Sequence, residues 1–387
     1  MKRTLDPGRL LPLPGLSFLR LLPALIGFVF AGAQTTDAEA VLKRAIALHQ
    51  SGDIPAAIDQ YRKYLAVQPD SPLALSNLGA AYARTGRYQD AVTQYVHALR
   101  IQPANAAVEL NLALAYYKSG QTELAAARLE HVHRAAPDQP QPILLLADCW
   151  LAMGRNRDVA ALVAPLAEQH PDDLGLAYLL GTALIRDGKA EQGQTLVDRI
   201  LRNGESAEAH LLLGVTRMQA GDMPGALVDL ERAVALNADL PDVQSYYGQA
   251  LLRTGDPSRA VTAFRKALSA NPFDYLANVQ LAMLLKDDDQ PDEARQCLAR
   301  ALQVRPNDLQ ARYERSAINL RTGHVEDARR ELESITRESP NYTAAHVSLA
   351  TVYYRLKRKT DGDRERAVVQ KLNAETQLKQ QQGVNVK

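Results

Sequence analysis

Cysteine is nearly absent, large rings are scarce and neither sign of charge prevails. Two cysteines in 387 residues, Cys149 and Cys297, can build neither a disulfide framework nor a four-thiolate metal site. Five Phe, one Trp and fifteen Tyr leave few large side chains for a thick sheet-based interior, so an Ala- and Leu-rich helical chain is expected. Forty-five Lys and Arg against 44 Asp and Glu give a formal charge of +1, and no basic tract resembles a nucleic-acid arm. Long apolar runs are missing too. The run Leu21–Phe30 falls short of the about 20 residues that span a bilayer.

That run belongs to a leader. Lys2, Arg3, Arg9 and Arg20 precede it, and the small residues Ala31, Gly32 and Ala33 follow it. A basic start, a short apolar core and an A-x-A site read as a secretory signal over residues 1–33, cleaved after Ala33 to leave Gln34 first. An uncleaved signal anchor is the other reading, and it is the one route to a membrane. The leader with Asp6 carries +3, so the remainder is at −2, the +1 of the whole chain less that +3. Export to a periplasm or beyond the cell follows, by a route that fits bacteria.

What the chain has in abundance is a 34-residue period from Ala38 to about Thr376, in ten repeats starting near 38, 72, 106, 140, 174, 207, 241, 275, 309 and 343. Numbering each repeat from 1 to 34, glycine recurs at place 15 in Gly52, Gly86, Gly120, Gly154, Gly188, Gly221, Gly255 and Gly323. Proline recurs at place 32 in Pro69, Pro103, Pro137, Pro171, Pro272, Pro306 and Pro340. A one-residue deletion between Gly188 and Gly214 resets the register. Apolar residues at helical spacing flank the place-15 glycine, which predicts two helices per repeat, the first ended by a left-handed turn and the second by proline. Small residues at place 8, such as Ala45, Gly79, Gly214 and Gly248, and at place 20, such as Ala57, Ala91 and Ala260, let the two backbones approach closely. Such a pair cannot bury its faces alone, so pairs must stack into an all-α solenoid.

Residues 72–105, PLALSNLGAAYARTGRYQDAVTQYVHALRIQPAN, resemble the tetratricopeptide repeat, with Leu78, Gly79, Tyr82, Ala91, Tyr95, Ala98 and Pro103 at its signature positions. Residues 241–274 resemble it through Gly248, Gly255, Ala260, Phe264, Ala267 and Pro272. The resemblance implies an α-α superhelix, a solenoid over residues 34–376, followed by a capping helix and a polar tail at 377–387. The repeats at 140 and 174 depart from the pattern, with Val159 and Gly193 in place of the place-20 Ala, and are expected to pack less regularly.

No catalytic constellation emerges. H-E-x-x-H, P-loop, G-x-G-x-x-G and G-x-S-x-G patterns are all absent, so no enzyme and no cofactor are expected. His131 and His133 point to different helix faces and read as surface residues. Cys149 and Cys297 read as buried, inert thiols. Asp287, Asp288 and Asp289, with Asp292 and Glu293, could supply oxygen ligands to calcium, but they lack an EF-hand's glycine and terminal Glu. Acids that begin a second helix explain them more simply.

Places 2, 5, 9 and 12 share one face of the first helix, opposite the packing places 4, 7, 8 and 11. The resemblance implies that this face lines a concave wall where protein or peptide segments of partners lie. Leu110, Leu144, Tyr178 and Leu211 stand at place 5, Leu114 and Val215 at place 9, and Tyr117, Leu151, Ile185, Met218 and Leu252 at place 12. They form either an apolar groove through the second to seventh repeats or packing against neighbouring repeats. Place 13 is basic in Arg84, Lys118, Arg186, Arg253, Arg321 and Arg355, which could hold carboxylates of a bound chain or form a solvated rim. The expected function is that of an exported, non-catalytic scaffold that binds polypeptide segments, in an envelope assembly or secretion complex. The alternative is a regulatory or recruiting subunit of an envelope enzyme system, such as a glycosyltransferase or polysaccharide-export complex. Nothing in the residues selects an oligomeric state.

Overall fold

The computed structural model describes residues 37–137 and 139–381, so the leader at 1–33 lies outside the described residues. Among the described residues there are twenty α-helices and no strand, an all-α solenoid of stacked helix pairs. The chain divides after Pro241 into two compact arrays. The N-terminal array contains α1 (Asp37–Ser51), α2 (Ile54–Val67), α3 (Pro72–Arg84), α4 (Tyr88–Ile101), α5 (Ala106–Lys118) and α6 (Thr122–Ala135). It continues with α7 (Pro140–Ala152), α8 (Asn156–Gln169), α9 (Leu174–Arg186), α10 (Ala190–Leu201), α11 (Ala207–Gln219) and α12 (Met223–Leu236). The C-terminal array contains α13 (Val243–Arg253), α14 (Pro257–Ala270), α15 (Tyr275–Asp287) and α16 (Pro291–Val304). It ends with α17 (Leu309–Arg321), α18 (Val325–Glu338), α19 (Thr343–Arg355) and α20 (Lys359–Gln381). Odd-numbered helices come first in each pair and even-numbered ones second.

Local chemistry sets these boundaries. Ser71, Asn105, Asp173, Ser206, Asp274 and Asp308 each accept a hydrogen bond from the backbone N–H three residues on, capping the first helices. The turn inside each pair is left-handed at place 15, with φ between 76° and 91° at the eight glycines. Where glycine is missing, Asp289 and Lys357 adopt the same conformation at φ 58° and 59°. Within a pair the place-8 residue meets the large residue at place 24. A Cβ added to Gly79 would lie 2.7 Å from the Tyr95 ring, and one added to Gly248 would lie 2.7 Å from Phe264. Tyr61, Tyr95, Phe264, Leu230 and Leu332 at place 24 are all buried. Each second helix then packs on the next first helix within its array.

The repeat at 174 is built differently. Its second helix, α10, has 12 residues where α8 and α12 have 14. Gly193 stands where most second helices carry Ala, and a Cβ there would run into Cγ1 of Ile185. With α10 short and stripped of a side chain, α9 packs directly against α11. The last helix, α20, is 23 residues long and runs to Gln381, past the expected end of the solenoid at 376. It carries an exposed Arg366 at place 24, where the other second helices place a buried apolar residue.

Candidate functional site

Ten of the eleven residues expected to line an apolar groove lie in the N-terminal array, and they do not form one open stripe. Leu114, Tyr178, Ile185, Leu211 and Val215 are buried, with Ile185 at 0% exposure and Leu211 at 2%. Tyr178, Ile185, Leu211 and Val215 sit on α9 and α11, which pack directly against each other, and Leu114 on α5 packs in one cluster with Leu145 and Leu146 of α7. Those five residues pack the array. Leu110, Tyr117, Leu144, Leu151 and Met218 stay half-buried and keep part of their surface toward solvent. Leu252, in the C-terminal array, is also half-buried.

The basic rim has a structural use. The Arg84 guanidinium donates to the backbone carbonyl of His49 at 3.3 Å, and that of Arg355 donates to the carbonyl of Leu320 at 2.6 Å. Gln219, at the same place 13, donates to the carbonyl of Ile185 at 2.8 Å. In all three cases a place-13 side chain satisfies the place-12 carbonyl of the preceding first helix, at the end of a helix where donors and cations are favoured. Arg321 reaches Asp289 at 3.9 Å. Arg253 is exposed, while Lys118 and Arg186 are half-buried, and burial lowers the Lys118 ammonium pKa from its ordinary value.

A surface that place-by-place reading missed lies on α19. Among the described residues, Val347 at 49% exposure and Tyr354 at 36% are the large exposed apolar residues carried by first helices. They stand at places 5 and 12 of the last repeat, one face of α19 with Ala344 and Thr351. Beside them Tyr313 and Tyr342 pack with ring centroids 5.3 Å apart, and the Tyr342 hydroxyl lies 3.2 Å from Oε1 of Gln310. Among the described residues no first helix follows α19, and Val347 and Tyr354 are exposed on this face. The signal was positional: the same places 5 and 12, in the tenth repeat.

The remaining candidates do not converge. Cys149 and Cys297 are buried and unbridged, and burial raises both thiols above their ordinary range. His131 places Nδ1 2.9 Å from Oε2 of Glu109, a contact between α6 and α5 inside one pair. Asp288 and Asp289 form the α15–α16 turn, and Asp292 pairs with Arg295 at 2.8 Å. Among the described residues no group of three or more His, Cys, Asp or Glu is placed to hold a metal.

Family models described as tetratricopeptide repeat match at residues 36–106 and 178–242, and a second such model matches at 85–141, 118–180, 217–280, 254–318 and 285–351. No curated protein matches the chain. Among solved structures, that of the APC/C hetero-tetramer Cut9-Hcn1 is similar at a TM-score of 0.51 and 12% identity, over 88% of each chain. A MamA fragment from Desulfovibrio magneticus RS-1 is similar at 21% identity and a TM-score of 0.41, over 44% of this chain and 97% of that one. At these identities the likeness is one of fold.

Proposed function

The chain belongs to the tetratricopeptide repeat family, a class of helical protein-interaction scaffolds that are typically non-catalytic, and from that premise we propose an exported scaffold that grips polypeptide segments on its first-helix faces. The observation that carries this reading is the open face of α19, where Val347 and Tyr354 stand exposed beside the Tyr313–Tyr342 pair. Aromatic rings with hydroxyl tips suit a peptide that offers both apolar side chains and backbone groups. In the N-terminal array the half-buried Leu110, Tyr117, Leu144 and Leu151 offer a second, shallower contact surface. Export rests on the leader at residues 1–33, and the clients would then be envelope or extracellular proteins assembling or secreting other components.

Changing Val347 to Ser removes exposed apolar surface while leaving in place Tyr354, whose ring covers Gly362 and whose hydroxyl donates to Asp363. Crosslinking in the native cell should then recover fewer of the proteins captured by the unchanged chain, with helicity preserved. A matched change of the exposed Val228 on α12 to Ser should leave capture as it was. Equal capture by all three forms sinks the assignment of the site. Export is tested separately, because a mature chain starting at Gln34 supports it and an intact Met1 does not.

A further inference from the structure

Three first helices carry a basic residue at their fourth position and meet a carboxylate 19 residues further on, in their own second helix: His210 with Asp229, Arg312 with Glu331, and His346 with Glu365. At His346, exposed to only 6%, both ring nitrogens are engaged. Nδ1 lies 2.5 Å from Oε2 of Glu365 on α20, and Nε2 lies 3.0 Å from the carbonyl oxygen of Pro340 in the turn before α19. A carboxylate and a carbonyl can only accept, whereas a neutral imidazole donates from one nitrogen alone. Both contacts together therefore require one proton more than a neutral ring beside an ionised Glu365 can supply.

We propose that His346 is a proton-operated clamp that ties the α18–α19 turn to the last helix. With the extra proton bound, the ring donates to Glu365 and to Pro340 at once. When that proton passes to water, the ring keeps one N–H and one of the two acceptors is left facing a lone pair. The helices around α19 supply the relevant charges. Glu365 comes from α20, Glu338 ends α18, and Arg312 of α17 neutralises Glu338 at 2.5 Å. α20 also holds Tyr354 of the open face, through Oδ1 of Asp363 at 2.7 Å, so loosening it reaches that surface.

The same chain contains a more open copy and a permanent one. His210 lies between Oδ1 of Asp229 at 3.2 Å and Oε1 of Glu205 at 3.1 Å, with Arg217 on Asp229 and Arg232 on Glu205. Arg312 holds Glu331 at 2.8 Å and Glu338 at 2.5 Å with a charge that does not titrate. The α17–α18 pair is thus an internal reference for α19–α20.

Hydrogen exchange of the full chain at about pH 5.5 and about pH 8, corrected for intrinsic exchange, tests the clamp. Protection of α20 and of the turn at 339–342 is expected to fall about tenfold at the higher pH relative to α17–α18, the worth of one charge-assisted hydrogen bond. H346R, copying Arg312, should keep the same protection at both pH values, and H346Q should be poorly protected at both. Protection of α19–α20 that tracks α17–α18 across pH in the unchanged chain overturns the clamp. So does a pH dependence that survives intact in H346R. Should either variant fold poorly, the comparison of the two helix pairs in the unchanged chain decides alone.

Discussion

Place 4 of the repeat, on the first helix, is filled differently in the two arrays. In the N-terminal array Leu75 and Ile143 are buried there, Ala177 occupies the same place, and Glu109 and His210 are the polar exceptions. In the C-terminal array every such residue is polar and buried: Gln244, Asn278, Arg312 and His346. One helix-pair geometry therefore accepts two kinds of interior. An apolar filling constrains a pair only through the volume it occupies. A polar filling admits only arrangements in which each group finds a partner, as Asn278 does with Arg300 at 3.1 Å, and so fixes how a pair docks. Large exposed apolar residues divide the same way. Those of the N-terminal array lie on second helices α2, α4, α6 and α12, whereas α19 shows them on a first helix.

The largest test of this contrast is at Arg312. Replacing it with Leu leaves Glu331, 14% exposed, with Arg315 alone, and should cost about 3 kcal/mol in urea unfolding of the C-terminal array. Adding Glu331→Leu should restore most of that loss, because the pair as a whole contributes little net stability. In the N-terminal array Leu75→Ala should cost about 2–5 kcal/mol through a cavity that no removal of a single partner can mend. A double variant no more stable than Arg312→Leu would show that the polar interior stabilises its array outright instead of specifying it.

A smaller effect separates two tyrosines. Tyr95 is fully buried and its hydroxyl has no hydrogen-bond partner, whereas the Tyr353 hydroxyl donates to Oε1 of Glu333 at 2.8 Å. Tyr95→Phe should therefore stabilise its array by about 1 kcal/mol, and Tyr353→Phe should destabilise its own by about the same. The Tyr353 phenol is pushed up to about 12, by burial first and by Glu333 second, in line with a hydroxyl held as donor. Thermal unfolding of both variants checks the pair. Melting shifts of the same sign would mean that the Tyr95 hydroxyl finds a partner, such as a bound water.

Much of the fold could be read from residues one at a time. Glycine at place 15 marks the left-handed turn, and its absence at Asp289 and Lys357 did not change the backbone there. Asp, Ser and Asn before the first helices mark their caps. The candidate site was less legible, for a physical reason. Whether Tyr178 or Leu211 faces solvent depends on how closely the next first helix approaches, and a 12-residue α10 with Gly193 sets that distance. The polar place-4 residues had a readable signal. Arg312 and His346 interrupt a packing place, and an acid of matching charge stands 19 residues after each.

The smallest expected effect sets the two ends of the described chain against each other. His49 on α1 meets the hydroxyl of Tyr61 at 3.4 Å, and its pKa is lowered, chiefly by burial and secondly by the Arg84 guanidinium. A base held below its unfolded value of 6.5 favours the fold only while it is neutral. Stability of the α1–α2 pair is thus present above about pH 6.5 and lost as pH falls through the lower folded value. This is opposite in sign to the clamp at His346, whose pair should weaken as pH rises. Hydrogen exchange across α1–α2 should show loosening in acid that shrinks in Arg84→Gln, because the guanidinium is gone, and persists in part, because burial is the larger cause. Acid loosening abolished by Arg84→Gln would reverse the order of the two causes, and its absence in the unchanged chain would remove the opposition between the two ends.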